Sequence, residues 1–303
     1  MNHLVGVAPK SGSSIDLVIH EDEREPLAAF KAAYLALKDS DRSDPAWQVE
    51  PDSLPASGWR PLDDVTLLRF LRADKRGGKL NPEAGQQRLL HALLWRKNLR
   101  ADRLLREPPH DWERFTKLRV RRWAGVDNEG RPVQFERLGK FMGSGNAKAY
   151  SNERWLELYA RDMETTFSEM RAAAQVTGKP IINYTYCGDL SGMGGLLWHL
   201  RTSLPLLKFL TKEVEVSFPE IVNNIIVFNA PRIFASLFPM VKVFMDPLTA
   251  AKVEVHAGVP TERFKQLMPA SVLPKEYGGE GTVDYPQTEM VGGAGAQPSV
   301  DVE

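Results

Sequence analysis

The chain of 303 residues is 43% hydrophobic and 26% charged, a balance typical of soluble globular proteins. Lysine plus arginine and aspartate plus glutamate number 39 each, so no overall field attracts nucleic acid or an anionic membrane. Any membrane contact therefore has to be local and largely hydrophobic. The single cysteine, Cys187, excludes an internal disulfide and fits a reducing compartment. We see neither a secretory signal nor a prenylation signal, so we expect a cytoplasmic protein.

The first 60 residues are predicted to form an arm, one helix and a linker. Residues 1–22 are weakly patterned, which indicates a mobile arm. From Glu25 to Lys38 the apolar residues recur at helical spacing. The segment from Asp39 to Pro61 is rich in Asp, Ser and Pro and indicates a linker or an irregular loop.

Residues 61–117 are predicted to form a helical subdomain. Asp63 and Asp64 can cap a helix that runs from Val65 to Ala73. Asn81 followed by Pro82 gives an N-cap and a proline at the first helical position, which predicts a helix through Leu99. Taken alone, this pair of helices is equally typical of any small helical bundle.

Residues 118–280 are predicted to alternate between strands and helices. Two short strands within Val120–Leu138 flank a turn, and an amphipathic helix follows from Trp155 to Gln175. The later segments are a strand over Pro180–Leu190, a helix over Leu196–Lys212, a strand over Ile225–Ala230, a helix over Ile233–Phe244 and a strand over Lys252–Ala257. This alternation predicts an α/β fold, a mostly parallel sheet covered by helices. Residues 281–303 indicate a disordered tail.

The helix over Ile233–Phe244 is almost wholly apolar, with only Ser236 and Lys242 as polar residues. A helix that is hydrophobic all round is either buried or faces something apolar that is not protein. It is too short to span a membrane, which takes about 18 consecutive apolar residues or more. We therefore expect it to lie between a protein core and a lipid, a cavity or a membrane surface.

The spacing of potential catalytic and ligand-binding residues argues against several chemistries. A dinucleotide-binding G-x-G-x-x-G pattern after the strand at Pro180–Leu190 would need glycine where Leu197 stands. Asp189 and Ser191 are instead expected to satisfy turn amides. There is no G-x-S-x-G nucleophile elbow, and the six histidines show no metal-ligand spacing. The sequence thus predicts no enzyme, no metal and no cofactor.

An ordered series of motifs from Leu62 to Gly279 resembles the CRAL-TRIO lipid-binding domain, the fold of Sec14-like phosphatidylinositol transfer proteins. The motifs are Leu67-Leu68-Arg69-Phe70-Leu71-Arg72-Ala73, Trp95-Arg96, Asp189-Leu190-Ser191-Gly192, Phe218-Pro219-Glu220, Asp246-Pro247-Leu248-Thr249-Ala250-Ala251-Lys252 and Leu273-Pro274-Lys275-Glu276-Tyr277-Gly278-Gly279. The resemblance implies an N-terminal helical subdomain over 61–117 and a lipid-binding domain over 118–280 that encloses an apolar lipid cavity.

The resemblance also implies which residues bind the lipid head group. Glu220 and Lys252 stand where phosphatidylinositol-binding members contact the inositol phosphate, and Lys75 and Asp127 fall where the family places further head-group contacts. Lys252 would be a point charge for the phosphate and Glu220 an acceptor for ring hydroxyls. Without the flanking motifs, the better interpretation would be that Glu220 caps an element or forms an ion pair at the surface, and that Lys252 is a solvated residue at a strand end.

The lipid tails are expected to lie between the sheet and a gate helix that opens at a membrane surface. The predicted gate residues are Phe234, Leu237, Phe238, Val241 and Phe244, with Asp246-Pro247 as stop and hinge; the predicted cavity wall is Tyr184, Tyr186, Ile225, Val227 and Val253. Three departures from the family pattern matter. Asp74 replaces a frequent Arg, Tyr184 and Tyr186 argue against phosphatidylcholine, and Asn223 stands where Gly is frequent.

The leading hypothesis is a monomeric phosphatidylinositol binding and transfer protein that contacts membranes transiently and binds no nucleic acid. One alternative is a carrier of another hydrophobic ligand, such as a tocopherol, a retinoid or a sterol, for which Glu220 and Lys252 would be dispensable. Another is a regulatory module that senses lipid and presents it to a partner. An enzyme is disfavoured because no nucleophile constellation is visible.

Overall fold

The computed structural model describes residues 19–40, 57, 59–61, 63–75, 79–143, 146–193, 196–232, 234–243 and 245–282. Most of the predicted tail, of the predicted arm and of the predicted linker lies outside these residues, as do Ile233 and Phe244 at the two ends of the apolar helix.

The N-terminal part is helical. Its helices are α1 (Glu21–Ser40), α2 (Asp64–Ala73), α3 (Pro82–Asn98), a 3-10 turn at Ala101–Arg103 and α4 (Trp112–Leu118). Both predicted caps are present: Asp63 Oδ1 accepts from Val65 N at 3.2 Å, and Asn81 Oδ1 accepts from Ala84 N at 3.1 Å. Because each cap satisfies an amide that lacks an intrahelical partner, it fixes where its helix begins. Fully buried side chains from α1, α2 and α3 form the core of this part, among them Phe30, Leu67, Leu71, Leu89 and Leu93.

The second part contains one sheet of five strands in the order β1 to β5. The strands are β1 (Arg121–Val126), β2 (Pro132–Glu136), β3 (Tyr184–Asp189), β4 (Val222–Phe228) and β5 (Val253–Val255). The first pair is an antiparallel hairpin and the three later pairs are parallel. Parallel neighbours need long crossovers, and helices supply them. The predicted α/β fold with a mostly parallel sheet is confirmed.

The helices that accompany the sheet are α5 (Leu138–Gly143), α6 (Asn152–Thr177), α7 (Leu196–Ser217), α8 (Phe234–Lys242), α9 (Pro247–Ala251) and α10 (Thr261–Leu267). Asp189 Oδ1 accepts from Ser191 N at 2.8 Å in the turn after β3, as the sequence predicts. No helix in the described part of the chain combines the length and the apolar character that crossing a membrane requires.

The two faces of the sheet pack against different helices. Strand register places Tyr186, Ile225 and Val253 in one row and Gly188, Val227 and Val255 in the next, on one face. We call it the α8 face, because Phe234 and Phe238 pack on it. The other face packs against α10 and the segment after it, through Phe135, Cys187, Ile226, Phe228 and Phe264.

Some boundaries differ from the prediction, and the described part of the chain has four additional short helices, α4, α5, α9 and α10. Helix α8 is described from Phe234 to Lys242, and β5 is limited to three residues. Asp246-Pro247, the predicted stop and hinge, begins helix α9, which Asp246 caps with Oδ1 accepting from Leu248 N at 2.8 Å; the hinge stays a prediction. Helix α10 follows Pro260, which makes no side-chain cap hydrogen bond, so no capping signal marks where it begins.

Candidate functional site

Two of the predicted head-group residues form an ion pair. Lys252 Nζ donates to Glu220 Oε2 at 2.8 Å across 32 residues of sequence, and also to the backbone oxygen of Val222 at 3.0 Å. Lys252 is the C-cap residue of α9 and lies directly before β5, whereas Glu220 lies in the turn between α7 and β4. Glu220 has a φ of 55°, in the left-handed region that non-glycine residues rarely adopt. Such a conformation is held by its surroundings and often marks a functional position.

This ion pair borders a cavity of about 90 Å³, which we call the head-group pocket. Residues from α2, α3, α7, β4 and α9 line it, among them Arg88, Glu215, Glu220, Asp246, Thr249 and Lys252. Both side chains of the pair are about one-fifth exposed, at 22% for Lys252 and 20% for Glu220, so each is reachable from the pocket. The arrangement offers an ammonium donor and carboxylate acceptors, which suit a phosphate that carries hydroxyl groups.

Arg88, which the sequence analysis missed, brings a second cation to this pocket. Its Nε and Nη2 atoms donate to the two carboxylate oxygens of Asp74 at 2.8 and 3.1 Å, and Nη1 donates to the Glu215 backbone oxygen at 3.2 Å. The hydrogen bonds to Asp74 raise the pKa of Arg88. Asp74 is the position where the family pattern has Arg, so in this chain α3 supplies the guanidinium. The sequence does contain one indication of this second cation. An acid at position 74, beside a head-group pocket, needs a basic partner to compensate its charge.

Glu215 ties α7 to the chain that follows α8. Its Oε1 accepts from the backbone N–H of Asp246 at 2.8 Å, at the N-cap of α9. Burial raises the pKa of Glu215, and the nearby charge of Asp246 adds to the rise while the Asp246 amide opposes it. The pocket thus shares a residue with the connection between α8 and α9.

Lys75 and Asp127 lie outside the lining of the head-group pocket. Lys75 is exposed and follows Asp74 directly after α2. Asp127 is 4% exposed in the β1–β2 turn, where its carboxylate accepts from Glu129 N, Arg131 N and Thr185 Oγ1, each at 2.9 Å. These bonds commit Asp127 to the hairpin, and a head-group contact by Asp127 or Lys75 stays a prediction.

The apolar segment is closed onto the sheet. The Phe234 and Phe238 rings stack with centroids 5.9 Å apart and pack with Ile225, Val227 and Val253, three of the predicted cavity-wall residues. Val241 is half-buried, while Phe244 and the side chain of Leu237 lie outside the described residues. Directly after α8, Val243 is 78% exposed, and Leu248 in α9 is 41% exposed.

The other two predicted wall residues, Tyr184 and Tyr186, are anchored within the protein. Tyr184 is buried against Trp123, with ring centroids 5.5 Å apart. Tyr186 donates through its hydroxyl to Glu136 Oε2 at 2.8 Å. Both phenols therefore occupy space on the side of the sheet where the family pattern has small hydroxyl residues.

Glu136 is the centre of a buried ionic network that the sequence analysis did not foresee. It accepts from Arg119 Nε at 3.0 Å and Nη2 at 2.9 Å, and Arg121 pairs with Asp162 of α6. Burial alone would raise the pKa of Glu136, but the guanidinium groups of Arg119 and Arg121 outweigh burial and hold it below its ordinary value. Arg119, Arg121 and Glu136 belong to the β1–β2 hairpin and the strand entry before it, whereas Asp162 comes from α6, so the complete network has no signal in one segment.

Comparison with known proteins finds a matching domain family and several similar proteins. Residues 119–279 match the model of the CRAL/TRIO domain. The chain is 29% identical to phosphatidylinositol/phosphatidylcholine transfer protein SFH9 of Arabidopsis thaliana over 88% of its own length and 42% of that protein. It is 28% identical to the SEC14 cytosolic factor of Candida glabrata over 76% of each chain. The chain thus spans less than half of the Arabidopsis relative but most of the yeast one.

A solved structure supports the same fold. The crystal structure of Sfh5 superposes with a TM-score of 0.66 at 14% identity, and the match covers 88% of this chain and 95% of that one. At this level of identity the likeness concerns the fold alone.

Proposed function

Because this chain belongs to the CRAL/TRIO domain family, we propose that it binds phosphatidylinositol and transfers it between membranes. The observation that carries the proposal is the Lys252–Glu220 pair at the edge of the head-group pocket. The relatives named as phosphatidylinositol/phosphatidylcholine transfer proteins support the same lipid class. The protein would act as a carrier rather than an enzyme, without a cofactor, as a cytoplasmic monomer that touches membranes transiently.

Binding would exchange the internal Lys252–Glu220 bond for bonds to the lipid. The ammonium of Lys252 would turn to the phosphate, and the Glu220 carboxylate would accept from inositol hydroxyls. The half-buried position of the pair favours such an exchange, since a charge that leaves its partner there must find another. The pocket of about 90 Å³ has room for part of a head group, so the acyl chains require space elsewhere.

We propose that this space opens between α8 and the α8 face. Removing a two-chain phospholipid from a bilayer exposes about 30 methylenes, worth on the order of 25 kcal/mol if they met water. An apolar enclosure must therefore be available at the moment of transfer. Phe234 and Phe238 would leave Ile225, Val227 and Val253 and close again over the lipid.

The exposed apolar residues beside α8 favour opening at a membrane. Val243 and Leu248 flank the Asp246 hinge, and both extend into solvent. At a membrane surface they would enter the interface as amphipathic segments do. The near balance of charge in the whole chain means that this contact rests on apolar burial more than on attraction to anionic lipid.

The proposal is tested by substituting Lys252→Ala and measuring transfer of labelled phosphatidylinositol between vesicles. Loss of a charge-assisted contact of about 1.5–3 kcal/mol predicts a reduction in phosphatidylinositol affinity of at least about tenfold. Lys265→Ala is the matched control, because Lys265 is half-exposed on α10, outside the lining of the head-group pocket, and pairs with Glu262 within its own helix. Mass spectrometry of lipid that copurifies with the protein identifies the ligand directly.

Each other result favours a different function. Equal phosphatidylinositol binding by Lys252→Ala and the unaltered protein would exclude the head-group assignment and favour a carrier of a neutral tocopherol, retinoid or sterol. Binding of phosphatidylinositol without transfer between vesicles would indicate a lipid-sensing regulatory module.

A further inference from the structure

A second cavity, of about 570 Å³, lies between α2, α6 and the segment before β3. We call it the arginine pocket, because Arg60, Arg69 and Arg171 line it together with Trp59 and Phe167. Among the described residues, it shares no lining residue with the head-group pocket. Its volume falls within the range of about 300–1,000 Å³ that is usual for small-molecule sites.

Arg69 is the residue that points to a ligand. It is 3% exposed, and its Nη2 donates to Thr66 Oγ1 at 3.3 Å. Its guanidinium lies over the Phe167 ring, 4.8 Å from the centroid. The Nη1 atom is buried and has no hydrogen-bond partner within the described part of the chain. A buried charged donor without a partner is costly, so its retention indicates an acceptor that occupies the pocket.

The charges around the pocket favour an anion. Arg60 and Arg171 are exposed at the rim, whereas Arg69 is buried. The only carboxylate among the described lining residues is Asp63, and its Oδ1 is already used to cap α2. Three guanidinium groups therefore face one carboxylate among the described lining residues, which leaves an excess of positive charge. Guanidinium groups bind phosphate and carboxylate through paired N–H donors, which makes these the matching anions.

Most of the remaining lining residues are apolar, Ser57 and Thr66 excepted, which indicates that the anion carries an apolar body. Trp59, Phe167, Met170, Pro180 and Ile181 line the pocket beside the arginines. Such a mixture of apolar surface and a few placed polar groups is typical of sites for organic ligands rather than for free inorganic ions.

We propose that the arginine pocket is a second ligand site, for an amphipathic anion in which a phosphate or carboxylate is joined to an aromatic or aliphatic group. The anion binds Arg69 Nη1 at the base and the two exposed arginines at the rim, and its apolar part packs against Trp59 and Phe167. Phe167 also contacts Phe218 of the head-group pocket, with ring centroids 5.7 Å apart. The two sites are therefore neighbours, and a test has to separate them.

The test is calorimetric titration of the full chain with phenyl phosphate, with phenol as the uncharged analogue and inorganic phosphate as the anion alone. We expect phenyl phosphate to bind with one-to-one stoichiometry and more tightly than either analogue. The double variant Arg60→Gln, Arg171→Gln removes only exposed charges, each worth a few-fold, so affinity should fall by about tenfold without unfolding. Lys265→Gln, an exposed charge on α10, should leave the affinity unchanged.

Further variants locate the ligand. Arg69→Gln should abolish phenyl phosphate binding, and circular dichroism checks that the variant is folded. If this variant unfolds, the rim double variant alone tests the proposal.

The Lys252→Ala variant tells the two pockets apart. Binding of phenyl phosphate that persists in Lys252→Ala assigns the ligand to the arginine pocket, whereas loss of binding places the ligand in the head-group pocket and overturns the proposal. Equal affinity of the unaltered chain and the rim double variant, or no binding at all, overturns it as well. Because the rim double variant should still transfer phosphatidylinositol, failure here is distinguishable from failure of the proposed transfer function.

Discussion

Asp74 changes the origin of positive charge in the head-group pocket. An acid at this position would repel a phosphate, yet its two oxygens are occupied by the guanidinium of Arg88. The side chain of Asp74 is 10% exposed and that of Arg88 is 23% exposed, so the pair is screened less than a surface pair. The pocket therefore receives its arginine, Arg88, from α3, whereas the family pattern places an arginine at position 74, after α2.

The two members of this pair are expected to affect lipid binding in opposite directions. Arg88→Gln removes a cation from the pocket lining and should weaken phosphatidylinositol binding by about tenfold, the usual effect of losing a hydrogen bond to a charged group. Asp74→Asn removes an anion while Arg88 remains, so affinity should stay equal or rise. Displacement of a fluorescent phosphatidylinositol analogue measures both variants.

Stability measurements distinguish this role from a structural one. If the pair served only to join α2 to α3, both substitutions would lower lipid affinity in proportion to the loss of stability in urea. A weaker affinity for Asp74→Asn than for the unaltered protein would therefore contradict a role for Arg88 at the head group.

At the scale of elements, the connection between α8 and α9 links α8, the proposed gate, to the head-group pocket. Asp246 caps α9 through its side chain, and its backbone N–H is held by Glu215. Glu215, Asp246 and Lys252 all line the pocket. A head group that rearranges these residues would act on the chain directly after α8, so filling the pocket and moving α8 are expected to be coupled.

A charge on α8 should block the proposed gate. Phe238→Asp places a carboxylate against Phe234 and the α8 face, where it disfavours both the closed packing and insertion into a lipid interface. We expect transfer of phosphatidylinositol between vesicles to fall by about tenfold or more, which corresponds to about 1.4 kcal/mol. The matched control is Leu94→Asp, which changes an apolar residue of α3 that is 42% exposed. Unchanged transfer by Phe238→Asp would exclude α8 as the gate.

Elements with a local signal were predictable, and those without one were not. The caps at Asp63 and Asn81 mark where their helices begin because they act within three residues of the chain. Helix α9 was not predicted although Asp246-Pro247 carries the same capping chemistry, since five helical residues are too few to show periodicity. Arg88 and the arginine pocket depend on contacts between separate helices, which no spacing within one segment reveals.

At the scale of the whole molecule, the network around Glu136 joins segments that are distant in the chain. Arg119 precedes β1, Glu136 ends β2 and Tyr186 lies in β3. Asp162 of α6 contributes through Arg121. Side chains of 10% exposure or less carry all four charges, so water does not screen them. Such a network costs desolvation, and removing one member leaves the others uncompensated.

The network predicts how stability depends on pH. The folded-state pKa of Glu136 is lower than its ordinary value of 4.5, so the folded protein binds the proton less readily than the unfolded chain does. The stabilisation is therefore fully present above about pH 4.5 and is lost as the pH falls through the folded-state pKa. Glu254 and Glu23, whose pKa values arginine partners also lower, contribute with the same sign.

Glu136→Gln should separate this contribution from the rest of the acid response. At neutral pH the substitution leaves Arg119 and Arg121 short of a carboxylate, and we expect a loss of about 3 kcal/mol in the free energy of unfolding, as for other broken buried ion pairs. The difference from the unaltered protein should shrink as the pH falls below 4.5 and through the folded-state pKa, because below that pKa Glu136 is neutral in both states. Urea unfolding at a series of pH values measures it, with Glu262→Gln at an exposed pair as the control. A difference that stayed constant from neutral pH to well below 4.5 would show that Glu136 stabilises by shape rather than by charge.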